Sequence, residues 1–242
     1  MRLSLRYLVA NLTKLHDHYA LSVVTKADKK EIIDMLHKHF VGRESLTKAS
    51  GITPAEYTSL LNTIFDRSTL GPTSFQIRHK ETNELAAFQL NSLMKRPDPN
   101  VPHESDFDIK TAARKLKHKA VEDVLNKVHD KLFTLKPDLN CALLGEMACT
   151  DPAHTRRGLL LHLLAVADDL VKSKAFGLQA FVYEATSKSS QEASAKLGYN
   201  VIWEEPLSNY KDEKGNQLLV CEDGMTTVQL VYKDPNVEVK PK

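Results

Sequence analysis

Residues 141–199 read CALLGEMACTDPAHTRRGLLLHLLAVADDLVKSKAFGLQAFVYEATSKSSQEASAKLGY. Apolar runs of strand length alternate here with segments of helical length. The pattern predicts strands and helices in turn over Cys141–Thr150, Gly158–Lys174, Leu178–Glu184 and Ser187–Leu197. Arg156, Arg157 and Gly158 stand where the first strand gives way to a helix. Free N–H groups and the helix dipole make such a junction an anion site, and phosphates are its usual ligands.

The rest of the chain predicts an α/β fold with one mixed sheet of about six to seven strands and helices on both faces. Further strands are predicted at Leu21–Thr25, Ser74–Arg78, Leu85–Met94, Asn200–Glu204 and Thr226–Tyr232. Further helices are predicted from Asp28 to Phe40, from a Thr53–Glu56 capping box to Arg67, and over Asp108–Phe133. Arg96–Asp106 is predicted as a polar loop, and Asn209–Gly224 as a long polar loop or hairpin. No linker divides the chain, so we predict a single domain.

The composition is that of an ordinary folded protein, with 42% apolar and 26% charged residues. A net charge of +2 is too close to neutral to indicate a nucleic-acid partner. No apolar run reaches the roughly 20 residues that a membrane span needs. The three cysteines, Cys141, Cys149 and Cys221, lack CxxC spacing, which favours a reducing, cytoplasmic setting over a disulfide framework.

The first sixteen residues allow two interpretations. Arg2, Arg6 and Lys14 are their only charged residues apart from the terminus, and leucines recur at helical spacing, as in organelle transit peptides. The interpretation that we favour is an element that packs on the domain, with a mitochondrial presequence as the alternative. The pairs His16/His18 and His37/His39 do not predict a metal site, because side chains two residues apart do not share a helix face.

Three segments resemble the motifs of a known protein family. Asp151–Gly158, followed by a leucine-rich helix, resembles the acetyl-CoA signature of the GCN5-related N-acetyltransferases: Arg or Gln, two residues, Gly, one residue, then Gly or Ala. Ala185–Ser190, before a segment that ends at Tyr199, is similar to the second cofactor-side element and looks like the arylalkylamine branch. His39–Leu46 is similar to the Phe-x-x-x-Glu-Pro-Leu segment of that branch. The resemblance covers about residues 21–232 and is densest between 150 and 199.

The resemblance implies acetyl-CoA as the co-substrate and no metal. The residues that it nominates to hold acetyl-CoA are Ala148, Cys149, Thr150, Thr155, Arg156, Arg157, Gly158, Leu159 and Leu160. Three positions depart from the family pattern. Thr155 occupies the Arg or Gln position, Leu160 stands where Gly or Ala is usual, and Ser45 replaces the proline. Leu160 places a large side chain where the backbone should approach the pyrophosphate.

For catalysis the resemblance nominates Glu44 as the base, acting through water, with the hydroxyls of Ser190 and Thr186 near the thioester. From the residues alone, Glu44 is a carboxylate at the end of a helix, and Thr186 and Ser190 are typical helix caps. Glu146 is a second candidate base if its apolar surroundings raise its pKa, and otherwise an outward-facing strand residue. Cys149 is interpreted as a buried thiol, and His154 as a packing or backbone-bonding residue.

The predicted organisation is an N-terminal extension at 1–20, an acetyltransferase domain at 21–232 and a flexible tail at 233–242. The predicted activity is transfer of the acetyl group of acetyl-CoA to a small, aromatic primary amine. We expect a monomer or homodimer, with neither a nucleic acid nor a membrane as partner. The alternatives are an enzyme that acts on a protein or peptide amine, and a degenerate CoA-binding module, which Thr155 and Leu160 favour.

Overall fold

The computed structural model describes residues 17–97 and 116–234, and its centre is a seven-stranded sheet. The strands are β1 (Tyr19–Val23), β2 (Phe75–His79), β3 (Leu85–Lys95), β4 (Cys141–Thr150), β5 (Ala180–Ala185), β6 (Asn200–Pro206) and β7 (Thr227–Lys233). Their order across the sheet is β1-β2-β3-β4-β5-β7-β6. Among the strands of the described residues only β4 and β5 pair in parallel, because the helix Leu159–Lys172 crosses back between them. The remaining pairs are antiparallel, so the sheet is mixed, as predicted.

Seven α-helices lie within the described residues. They are α1 (Lys29–His39), α2 (Ser45–Ser50), α3 (Pro54–Ser68), α4 (Leu116–His129), α5 (Lys131–Leu135), α6 (Leu159–Lys172) and α7 (Lys188–Lys196). None of the helices in this part of the chain is long and apolar enough to cross a membrane. The predicted capping box is confirmed, since Thr53 and Glu56 exchange hydrogen bonds at the start of α3.

Two hydrophobic cores lie on opposite faces of the sheet. Successive residues of a strand point to opposite faces, and in β4 Ala142 and Leu144 join one core while Cys141 and Leu143 join the other. Helices α1–α5 contribute to the first core, and we call their side of the sheet the front face. Helices α6 and α7 contribute to the second core, on what we call the back face. Helices therefore cover both faces, as predicted.

Three features of the structure differ from what the local sequence patterns indicate. Strand β1 begins at Tyr19, which is buried, rather than at Leu21. The six-residue helix α2 was not predicted, because its run of Ser, Leu, Thr, Lys and Ala shows no strong periodicity. The connection predicted as a polar loop or hairpin, Asn209–Gly224, buries Leu219 and Cys221 in the front core, and Met225 directly after it is buried there too. Isolated apolar residues in a polar segment give no periodic signal, so burial there depends on tertiary contacts.

Several predictions fall outside the described residues. They are the transit-peptide interpretation of residues 1–16, most of the Pro-rich loop Arg96–Asp106, the start of the helix predicted from Asp108, and the tail from residue 235 onward.

Candidate active site

The parallel strands β4 and β5 separate part of the way along their length. Pairing joins Ala142 to Ala180 and continues as far as Gly145 opposite Tyr183. Beyond that point β4 runs on to Thr150 and β5 to Ala185 without pairing to each other. On its other edge β4 carries a bulge, since Leu90 pairs with Met147 and the next residue of β3 pairs with Gly145. A bulge bends its strand and increases its twist, so the extra residue, Glu146, lies at the fork.

A cavity of about 320 Å³ occupies this fork. Its walls include Leu160, Leu164 and Tyr183 from the back core, and Met147 and Cys149 from the front core. Residues from both faces of the sheet therefore line the cavity. The backbone N–H and C=O groups of β4 after Gly145 that face β5 have no strand partner there, so they are available to an extended ligand.

The anion cradle predicted from the sequence falls on the loop between β4 and α6. Asp151 begins it, and its side chain accepts a bond of 2.8 Å from the N–H of Ala153. Arg156 and Gly158 both have left-handed backbone, with φ of 60° and 74°. Gly158 is the N-cap of α6, and its carbonyl accepts from the N–H of His162. The N–H groups of the first helical turn precede any intrahelical acceptor, so they are free to bind an anion.

Two contacts anchor this loop to the body of the sheet. The hydroxyl of Tyr19 and Nδ1 of His154 share a hydrogen bond of 2.9 Å. On the other side, Nε2 of His39 lies 3.4 Å from a carboxylate oxygen of Asp151. His154 thus bonds to a side chain rather than to the backbone, and the loop is held from β1 and from α1.

The nine residues nominated for acetyl-CoA lie in two groups. Ala148, Cys149, Thr150 and Leu160 line the cavity, whereas the other five lie along the loop and the start of α6. Leu159 is buried in the back core, so only its backbone can face a ligand. The hydroxyl of Thr155 donates to the carbonyl of Pro152 at 3.0 Å, so this side chain stabilises the turn. Burial raises the pKa of Cys149 to about 12, which keeps it a thiol rather than a nucleophile.

Glu44 lines the cavity and is the N-cap of α2 rather than the end of α1. Its carboxylate accepts bonds from the N–H of Leu46 at 3.2 Å and the N–H of Thr47 at 2.8 Å. The hydroxyls of Thr47 and Thr186 also donate to it. Burial raises the pKa of Glu44 above its ordinary value even though these donors act in the opposite direction. A partly buried carboxylate with a raised pKa beside a cavity is suited to accept a proton.

Thr186 and Ser190 both line the cavity, close to the start of α7. The side chains of Ser187 and Ser190 form a reciprocal capping box, and the hydroxyl of Ser190 also donates to the carbonyl of Ser187 at 2.9 Å. The capping interpretation of Ser190 is therefore correct. To donate to a ligand in the cavity, the hydroxyl of Ser190 would have to turn away from the carbonyl of Ser187, because a hydroxyl has a single donor.

Glu146 also lines the cavity, and its interpretation as an outward-facing strand residue is wrong. Its side chain is only 1% exposed, because the bulge turns it into the front side of the sheet. Arg67 and the hydroxyl of Ser92 each bond one of its oxygens at 2.5 Å. Burial raises the pKa of Glu146, and the adjacent Arg67 opposes that shift. The positive charge of Arg67 favours the ionised form of Glu146 and opposes its protonation, whereas the donors that bond Glu44 are neutral, so Glu44 is better placed to take a proton from a ligand.

Two polar strand residues are among the cavity residues that were not nominated from the sequence. Glu184 on β5 lies 3.1 Å from Nδ1 of His129, and Gln89 on β3 donates to the side chain of Asn91 at 3.0 Å. Both positions lie within apolar strand patterns, and neither has a spacing signal that would have singled it out.

The sequence matches no protein-family model and no curated protein. Comparison of structures finds similar folds. Arylalkylamine N-acetyltransferase 2 from Aedes aegypti is 19% identical, with a TM-score of 0.70 over 91% of this chain and all of that one. A Drosophila melanogaster polyamine N-acetyltransferase is 17% identical, with a TM-score of 0.68 over 89% and 99% of the two chains. The C-terminal condensation domain of Ebony is 17% identical, with a TM-score of 0.61 over 89% and 98%.

These likenesses span the sheet and the helices on both of its faces. They agree with the resemblance read from residues 150–199, although the identities are low. The chain has the fold of the GCN5-related N-acetyltransferases, and the arylalkylamine N-acetyltransferases are among the structures that share it.

Proposed function

We propose that the protein transfers the acetyl group of acetyl-CoA to the primary amine of a small molecule, by direct attack within a ternary complex. The observation that carries this proposal is the fork between β4 and β5, because residues from both faces of the sheet line its cavity. A nucleotide-bearing thioester can enter from the anion cradle on the back side. An amine can then meet it from the side where Glu44 lies.

The residues present fit such a thioester. The cradle at Gly158 supplies N–H groups for a pyrophosphate, and the open edge of β4 supplies backbone groups for the amide-bearing arm. Leu160 lines the cavity near this path and narrows it. The exposed side chains of Arg156 and Arg157 can supply the positive charge that Thr155 lacks.

Acetyl transfer requires a neutral amine, whereas an alkyl ammonium has a pKa of about 10. We propose that Glu44, directly or through water, removes this proton. The neutral amine nitrogen then attacks the thioester carbon, the C–N bond forms, the C–S bond breaks, and the second proton that the nitrogen must lose goes to the departing thiolate. Thr186 and Ser190 lie where a hydroxyl could stabilise the departing thiolate or pass a proton to it.

The size and lining of the cavity support a small acceptor. About 320 Å³ falls within the range of small-molecule sites. Phe40 and Met147 provide apolar wall, and Glu44 and Glu184 provide acidic groups that favour a cation. We propose a small amine with an aromatic group as the acceptor.

The test is a two-part experiment on the intact protein. Calorimetric titration measures acetyl-CoA binding, and release of free CoA thiol is then followed with phenethylamine-type amines, aliphatic diamines and a lysine-containing peptide. Binding followed by turnover of the aromatic amines supports the proposal. Turnover of the peptide alone would favour a protein substrate. Absence of acetyl-CoA binding would leave a degenerate module as the correct interpretation.

A glycine substitution tests whether backbone groups form the cradle. Gly158 has left-handed backbone and open space around its Cβ position, so valine there is opposed by strain of about 1–2 kcal/mol rather than by a clash. If the loop relaxes, the N–H groups turn away, and we expect Gly158→Val to weaken acetyl-CoA binding by about tenfold. Arg156→Ala and Arg157→Ala should each cost less than about fivefold, because their side chains are exposed.

The matched control is Gly71→Val, at a glycine that also has open space around its Cβ position but no left-handed φ. Its acetyl-CoA affinity should equal that of the wild type in the same titration. The reverse order, with an arginine substitution more harmful than Gly158→Val, would show that side-chain charge carries the site.

A further inference from the structure

We propose that Asp223 is a positioning residue that holds Glu44 in register with the hydroxyls of Thr186 and Ser190. Asp223 lies in the connection between β6 and β7, which we call the latch segment (residues 210–226). It is remote in sequence from the other three residues, and no motif marks it. The inference rests on the proposed function, which assigns Glu44 as the base.

One carboxylate joins the starts of two helices. Oδ2 of Asp223 accepts a bond of 2.5 Å from the hydroxyl of Ser45 and a bond of 2.7 Å from the N–H of Lys188. Ser45 is the first residue of α2 and follows Glu44, while Lys188 is the first residue of α7. Lys188 lies two residues after Thr186 and two before Ser190. The same oxygen atom therefore sets the spacing between the base and the two hydroxyls.

The charge of Asp223 suits this position. Negative charge is favourable at helix N-termini, and charge-assisted bonds are roughly twice as strong as neutral ones. Although partial burial opposes it, hydrogen bonding from Ser45 and from the N–H groups of Lys188 and Met225 lowers the pKa of Asp223 below its ordinary value. The carboxylate is therefore ionised at neutral pH. Ser45 supplies the hydroxyl at the position where the segment that it resembles has a proline, which carries no hydroxyl.

The latch segment is itself held firmly against the domain. Leu219, Cys221 and Met225 are buried in the front core. The thiol of Cys221 lies 3.6 Å from the carbonyl of Ser45, and Lys48 pairs with Glu222 at 2.6 Å. These contacts hold the latch segment against α2 independently of the bond between Asp223 and Ser45. Asp223 can therefore determine the position of Ser45 and of the adjacent Glu44.

A double-mutant cycle separates positioning from a general effect on folding. Misplacement of a catalytic group can cost on the order of 10²-fold in rate, and we expect a loss of this order in kcat for Asp223→Asn, with acetyl-CoA affinity preserved. In a Glu44→Gln background the same substitution should cost almost nothing, because there is no base left to misplace. Equal losses in both backgrounds would overturn the proposal.

The matched control is Asp212→Asn. Asp212 lies in the same latch segment and also accepts backbone N–H bonds, from Lys214 and Asn216, but it contacts neither helix. Its kcat should equal that of the wild type in both backgrounds. If Asp223→Asn proves too unstable to assay, Ser45→Ala removes a single bond to Asp223 and is carried through the same cycle with the same expectation.

A second measurement does not depend on activity. Carboxyl NMR of ¹³C-labelled glutamate reports the pKa of Glu44, while the neighbouring Tyr57 and Cys221 stay neutral because their pKa values are raised. If Asp223 holds Glu44 in its buried position, Asp223→Asn should let water in and move this pKa toward its ordinary value, and Asp212→Asn should not. An unchanged pKa in Asp223→Asn would overturn the positioning role. A wild-type protein that transfers no acetyl group would overturn the proposed function alone.

Discussion

Replacing Glu44 with glutamine is expected to slow acetyl transfer by about 10²–10⁴-fold at neutral pH, the usual cost of losing one general base. Glutamine has nearly the same size and can still accept an N–H bond at the start of α2, but it cannot take a proton. Acetyl-CoA affinity should therefore stay nearly unchanged. Steady-state kcat and a calorimetric Kd measure the two quantities separately.

The pH dependence of the acetyl-transfer rate tests the role of Glu44 most directly. A base works when deprotonated, and burial raises the pKa of Glu44 above 4.5, so the wild-type rate should rise with pH through that raised value. This limb should vanish in Glu44→Gln. The deficit should also shrink as pH approaches the pKa of the amine, about 10, because more substrate arrives already neutral.

Ser190→Ala provides the comparison. If its hydroxyl assists departure of the thiolate, the loss in kcat should not recover at high pH, since that step does not depend on the protonation of the amine. A pH–rate profile for Glu44→Gln identical to that of the wild type would contradict the assignment of Glu44. Glu146, which is buried with a raised pKa, would then become the leading candidate.

Replacing Arg67 with methionine is expected to lower the free energy of unfolding by about 3 kcal/mol at pH 7, because removing one partner of a buried ion pair leaves an uncompensated charge. Glu146 is 1% exposed and Arg67 21% exposed, so the pair is screened little by solvent. Urea denaturation followed by circular dichroism measures the change. The expected loss in the free energy of unfolding lies at the lower end of the range for breaking a buried ion pair, because Arg67 retains some contact with water.

The loss should depend on pH in a definite direction. Without Arg67, only the hydrogen bond from Ser92 opposes the effects of burial and of the nearby Glu184, so the folded-state pKa of Glu146 rises further above its unfolded value. The folded state then binds the proton more tightly, so its stability falls as pH rises between the unfolded and the folded pKa. The difference between variant and wild type should therefore narrow as pH falls toward 4.5, the ordinary value for a glutamate.

Lys30→Met serves as the control for charge removal, since Lys30 and Asp34 form an exposed pair on one turn of α1. Its stability should equal that of the wild type within error. A loss in Arg67→Met no larger than that of the control, or one that does not change with pH, would show that the pair does not stabilise the fork.

Local sequence accounts for much of the cradle. Cys141–Thr150 is an apolar run of strand length, Gly158 can adopt left-handed backbone at no steric cost, and the apolar helix begins directly after it. Each of these features depends on residues close together in the chain. For the same reason the capping box of Thr53 and Glu56 was predicted and is confirmed. Roles nominated from the resemblance, such as that of Glu44, remain predictions.

The features that local sequence patterns did not predict depend mainly on contacts between residues far apart in the chain. Arg67 and Glu146 are 79 residues apart, and Ser45 and Asp223 are 178 residues apart, so no local spacing relates them. The burial of Glu146 depends on a bulge whose position is visible only when β3 and β4 are paired. The helix α2 was not predicted because it has only six residues and shows no clear hydrophobic periodicity, and Glu44 is its N-cap.

The sequence by itself determined most of the strands and helices, their order and the turn at Gly158, because these follow from hydrophobic periodicity, helix caps and backbone preferences within short segments. Only the tertiary structure decided where β4 and β5 separate, which carboxylates line the cavity between them, and how Asp223 joins α2 to α7. Those features arise from strand register and from side chains that meet across the fold, and the free energy of such contacts depends on distances in space rather than on separation along the chain.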